Sequence, residues 1–78
     1  MSSFPSLSTR QIVKALRRGG FVHAPVRGKG SHRALTRTDS DGTVLLVIIP
    51  ERKSLPTGTL RSIIRQAGLT REQFLALL

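Results

Sequence analysis

Chemistry is densest in one segment of this 78-residue chain, Arg27-Gly28-Lys29-Gly30-Ser31-His32-Arg33. The glycines let the backbone approach a phosphate closely. Lys29 and Arg33 would neutralise that phosphate, with Arg27 and Ser31 in reach of the same anion. His32 is the one side chain in the segment that titrates near neutral pH. Beside an RNA backbone, its neutral imidazole is suited to take the proton of a ribose 2′-hydroxyl, whose oxygen then attacks the neighbouring phosphorus. The lysine and arginines would stabilise the crowded, negatively charged transition state. This chemistry requires the 2′-hydroxyl, so DNA would be inert. The spacing alone also fits a histidine that merely makes a structural hydrogen bond at the start of a strand, and no second acid for the leaving 5′-oxygen stands out. His23, beside Pro25, has only Arg27 and Arg10 as candidate neighbours and is not chosen as a site residue.

Composition narrows the partner. Lys and Arg number 13 against 4 Asp and Glu, a formal charge of +9. The cations are spread along the chain rather than gathered in a tail. That pattern implies a polyanionic partner: nucleic acid, an acidic protein, or both. Its bland alternative is a small protein kept soluble by its charge, which needs far less of it. Cysteine is absent, which excludes a disulfide, a thiolate nucleophile and a cysteine-type zinc site. Two histidines and four acids are a poor supply of metal ligands, so no metal and no other cofactor is expected. The longest apolar run, residues 44–49, stops at Pro50, far short of the ~20 residues a membrane span needs. The first five residues carry no basic region followed by an apolar stretch, so the expectation is a cytoplasmic protein without a signal peptide. Phe4, Phe21 and Phe74 are the only aromatics, which argues against recognition by base stacking on exposed rings.

The elements that must position His32 follow from local signals. Residues 1–6 read as a loose lead-in to a single domain spanning 1–78. Ser8 and Gln11 form a capping box, with Leu7 and Ile12 as its hydrophobic staple. Ile12, Val13 and Leu16 then share one helical face, and Arg10, Lys14, Arg17 and Arg18 another. Gly19-Gly20 ends that helix. Residues 21–26, with Pro25, predict an edge strand. Residues 31–38 predict a second strand, and Asp39-Ser40-Asp41-Gly42 the hairpin turn. Residues 43–49 predict a third strand, and 51–58 a polar loop. Leu60, Ile63, Ile64 and Ala67 mark a second helix, on which Arg61 and Arg65 form a basic pair. Thr70 and Gln73 cap a short last helix. The class is therefore α+β: a three-stranded antiparallel sheet with helices on one face. The third strand is apolar on both faces, so its second face calls for cover by a partner chain, a second copy, or the C-terminal helix.

Leu16 to Phe21 (Leu-Arg-Arg-Gly-Gly-Phe), Gly30-Ser31-His32, Pro50, and the run Gly58-Thr59-Leu60-Arg61-Ser62-Ile63-Ile64-Arg65-Gln66-Ala67-Gly68-Leu69 together resemble the HicA (YcfA-like) toxin family. The resemblance covers about residues 8–78, in order and at near-family length. It implies a fold like that of double-stranded-RNA-binding domains. It implies a ribosome-independent endonuclease that cuts mRNA, and a HicB antitoxin, encoded beside it, that covers the active site. The histidine of the Gly-Ser-His triplet is the family's catalytic residue, here His32. Many members carry a second histidine two residues after the proline that ends the third strand, where this chain has Arg52. The stretch between Phe21 and Gly30 is also longer than usual.

Two other functions compete. A non-catalytic double-stranded-RNA binder would open its second helix with a lysine cluster, and this one opens Gly58-Thr59-Leu60-Arg61. A helix-turn-helix DNA binder would use residues 63–74, which leaves the strands without a role.

Overall fold

A computed structural model describes residues 4–25 and 32–78. The order of elements is α1 (Thr9–Arg18), β1 (Val22–His23), β2 (His32–Thr38), β3 (Val44–Pro50), α2 (Thr57–Gln66) and α3 (Arg71–Ala76). The strands form one antiparallel sheet in the order β1-β2-β3, which is the α+β layout that the periodicities predict.

Both capping boxes form. Ser8 accepts from the Gln11 N–H and Thr70 from the Gln73 N–H, and each glutamine side chain returns a bond to its cap's backbone. Gly20, at φ 94°, turns the chain away from the end of α1 into a region that a Cβ disfavours. In the hairpin, the Gly42 N–H bonds the Asp39 carbonyl and the Asp39 N–H bonds the Thr43 carbonyl. Gly42 itself sits at φ 89°, as a turn feeding a G1-type bulge requires. The Thr43 N–H donates to Asp41 Oδ1 at 2.9 Å, and that bond holds the Asp41 carboxyl below its usual range.

Three boundaries differ from those the sequence predicts. β1 covers only Val22–His23 within the expected 21–26; the Ala24 N–H still donates to the Ala34 carbonyl at 2.9 Å, and Val26 lies outside the described residues. β3 extends through Pro50, which is paired with His32. α2 starts at Thr57, inside the expected loop, with Pro56 as its N-cap residue.

The core lies between the sheet and the helices. Leu35, Val47 and Ile49 enter it from the strands, and Ile12, Leu16, Leu60, Ile63 and Phe74 from the helices. Phe21 and Phe74 are both buried. The C-terminal helix does not cover the second face of the sheet. Its Phe74 sits in the core, and the Leu77 carbonyl receives a bond from Arg18 at 2.9 Å. Val22, Val44, Leu46 and Ile48 on that second face stay 40–64% exposed. The outer edge of β3 is blocked at Ile48, whose N–H donates to Gln66 of α2 at 2.9 Å. A side-chain acceptor there discourages strand addition.

α1 is pinned to the sheet at both ends. At its C-terminal end, the Arg37 guanidinium donates to the Gly19 carbonyl at 3.0 Å and lies 4.9 Å over the Phe21 ring. At its N-terminal end, Thr9 is buried, and its hydroxyl donates to the Pro50 carbonyl and accepts from the Arg52 N–H at 2.7 Å. The Thr9 N–H also donates to the Arg52 carbonyl at 2.9 Å. Replacing Thr9 by Val keeps the shape but strands the Pro50 carbonyl and the Arg52 N–H. Thr9→Val is therefore expected to lower the unfolding free energy by about 1–3 kcal/mol, with Thr9→Ser retaining most of it. Urea unfolding measures this, and a loss below about 0.5 kcal/mol would refute the role given to this hydroxyl.

Candidate functional site

The strand register places His32. It pairs with Pro50 at the last rung of the β2–β3 ladder. Side chains directly across an antiparallel pair share a face, and alternate residues along a strand share it too. His32 therefore lies on the face that carries Ile48, Leu46 and Val44, away from the helices. It is exposed, at the end of that face, and its ring is not among the core side chains.

Arg33 follows from the same alternation. It pairs with Ile49, whose side chain is buried in the core, so Arg33 projects to the opposite side of the sheet from His32. There its Nε donates to Glu51 Oε1 at 2.9 Å, with both side chains 45% exposed. The structure thus does not bring Arg33 and His32 onto one face. Arg27, Lys29 and Ser31, the other candidate contacts, lie outside the described residues. His23 is exposed and pairs with Leu35 on the short edge strand.

A group of residues that sequence reasoning did not assemble lies at the same end of the molecule. Ser8 and Arg10 of the first turn of α1 face Glu51, Arg52 and Lys53 across an open groove of about 380 Å³. The Thr9 bonds to Pro50 and Arg52 form the junction between these two segments. Among the described residues the only ion pairs are Arg33–Glu51 and Arg37–Asp39, so Arg10, Arg52 and Lys53 enter none. No acidic residue occupies the first turn of α1 to balance the helix dipole. The signal that would have found this groove is a long-range contact, which no local spacing encodes.

The Arg61 and Arg65 side chains are exposed on α2. Among the described residues, no three His, Cys, Asp or Glu side chains gather closely enough to hold a metal ion. No described helix is long and apolar enough to cross a membrane.

The face that presents His32 is thus an apolar surface with an imidazole at one end, and the groove at that end of the sheet, on its helix side, is cationic. His32 makes no side-chain hydrogen bond or ion pair with another described residue. His32→Ala should consequently shift the unfolding free energy by no more than about 0.5 kcal/mol, the usual scale for an exposed position. Matched urea titrations of the two proteins check this, and a loss above about 1 kcal/mol would mean the ring is structural.

The family model described as HicA toxin of bacterial toxin-antitoxin matches residues 9–69 of the chain. No curated protein matches it.

Proposed function

Since the chain belongs to the HicA toxin family, the toxin half of bacterial toxin–antitoxin pairs, we propose that it is an endoribonuclease acting on single-stranded mRNA with His32 as general base. The observation that carries this reading is the exposed His32 at the end of the open sheet face in a chain of this family, with the cationic groove at the same end of the sheet on its helix side. In the proposed reaction the His32 imidazole takes the proton of a ribose 2′-hydroxyl. The bond from the 2′-oxygen to phosphorus forms as the bond from phosphorus to the 5′-oxygen breaks. The leaving oxygen takes a proton from water, and the products end in a 2′,3′-cyclic phosphate and a 5′-hydroxyl. Arg27, Lys29 and Ser31, adjoining His32 in sequence, are proposed to hold the reacting phosphate. Arg33, on the other side of the sheet and paired with Glu51, is proposed to help through the local positive field rather than by a contact beside the ring.

The reaction as written calls on no metal ion, in keeping with a chain that holds only two histidines and four acids. The toxin's antitoxin is proposed to be an acidic, HicB-type protein that lies on the open face of the sheet. Two features support that placement. Val22, Val44, Leu46 and Ile48 form an exposed apolar patch, and the chain's charge of +9 favours an acidic partner over a second copy of itself. A partner seated there would mask His32 directly.

His32→Ala is expected to lower the cleavage rate on single-stranded RNA by at least about 10²-fold, the usual contribution of a general base. Wild-type cleavage should persist in EDTA and stop when the ribose at the cut site is replaced by deoxyribose. An alanine variant that cleaves at the parental rate would sink the proposal, and a wild-type protein that binds RNA and leaves it intact would favour the non-catalytic binder. The docking reading predicts that Leu46→Lys weakens the antitoxin at least about tenfold in a titration. Unchanged affinity would move the antitoxin to another surface.

A further inference from the structure

We propose that the groove between the start of α1 and residues 51–53 is a second nucleic-acid contact, in which Arg10, Arg52 and Lys53 neutralise phosphates flanking the one presented to His32. The inference rests on the ribonuclease reading above and concerns where the rest of the strand runs.

The first argument is position. Pro50 lies directly across from His32, and Arg52 is two residues further along the same segment. At about 3.3 Å per extended residue, the Arg52 backbone is within about 7 Å of that rung. The groove opens on the helix side of the sheet, so an RNA strand whose scissile phosphate meets His32 on the open side would bring its neighbouring phosphates to these cations by passing round the end of the sheet beyond Pro50.

The second argument is charge. Glu51 is the one acid in the groove, and Arg33 neutralises it at 2.9 Å. The three cations that remain have no acidic partner among the described residues. They also sit at the helix end where the backbone dipole is itself positive, with no acid in the first turn. Like charges gathered in this way weaken the empty protein and are relieved when an anion enters.

The third argument is rigidity. The Thr9 hydroxyl and N–H fix the backbone of Arg52 on both sides of its peptide groups. The roots of Arg10 and Arg52 are therefore held relative to each other before any ligand arrives, which cuts the cost of ordering on binding. A strand passing through the groove would be gripped by its phosphates alone, so the contact sets orientation and affinity and leaves base preference to other parts of the surface.

The test uses the full chain carrying His32→Ala, so that the readout is binding rather than cleavage. A short fluorescein-labelled single-stranded RNA is titrated by anisotropy across a range of salt concentrations. Adding Arg52→Ala and Lys53→Ala should weaken binding at least about tenfold at low salt. The slope of log affinity against log salt should fall by about 1.4, or roughly 0.7 for each phosphate of a single strand that is no longer neutralised. Arg17→Ala, which removes one charge from the far end of α1, should leave the slope unchanged, whereas Arg52→Ala alone should reduce it by about 0.7. Thermal melts confirm that each variant is folded, and Arg52→Gln with Lys53→Gln repeats the measurement with longer side chains. An unchanged slope in the double variant overturns the proposal. So does an equal fall for Arg17→Ala, which would mean a diffuse field. A variant that keeps RNA binding but no longer binds an acidic antitoxin would also overturn it and assign the groove to that protein. Failure of the ribonuclease reading shows elsewhere, as RNA still cut by the His32→Ala parent.

Discussion

The register of the β2–β3 ladder is the constraint on which the rest of the molecule depends. Pairing His32 with Pro50 puts Leu35, Val47 and Ile49 on the helix side and His32, Ile48, Leu46 and Val44 on the open side. Strand side chains alternate with a period of two. A slip of one residue would therefore turn the buried set outward and send the imidazole toward the core. The large apolar side chains of the core oppose that slip. Stability and the placement of the candidate catalytic group are thus one question here, answered by the same rungs.

α1 acts as a brace along that ladder. Its ten residues run for about 15 Å, close to the length of the rungs from His32 to Arg37. It is tied at one end by Thr9 to Pro50 and Arg52, and at the other by Arg37 to Gly19. The N-terminal tie has a consequence beyond stability. It brings the positive end of the helix, Arg10, and the cations after β3 to the end of the sheet where His32 lies. Polar chemistry and hydrophobic packing are thereby separated: one end of the sheet is cationic, one face is apolar, and the helices fill the other face.

The charge distribution works against the folded state and for association. An excess of nine positive charges on a chain of 78 residues repels itself, and the thin core that such a length allows offers limited compensation. Among the described residues only two ion pairs relieve the excess, and both involve residues at the ends of the sheet. Anionic partners gain from the same imbalance. The apolar face and the cationic end are separate surfaces, which suits a protein that meets both an RNA strand and an acidic protein.

Much of this was legible in the residues themselves. Ser8 with Gln11 and Thr70 with Gln73 announce two helix starts, the stripes Ile12-Val13-Leu16 and Leu60-Ile63-Ile64 announce the buried faces, and Asp41-Gly42 announces the hairpin. The Gly-Ser-His triplet marked His32, and composition alone set the charge. These signals are local: each depends on neighbours three or four positions away, or on a simple count. Strand alternation already sets Arg33 and His32 on opposite faces. Tertiary structure alone decided that Arg33 pairs with Glu51, that Thr9 is a buried clamp rather than an ordinary first-turn residue, and that Arg10 meets Arg52 and Lys53. The bonds that settle these points join residues 18, 41 and 43 positions apart in the chain. Contacts across such separations arise only when strand pairs with strand and a whole helix is laid on a whole sheet, so the pattern of near neighbours contains no trace of them.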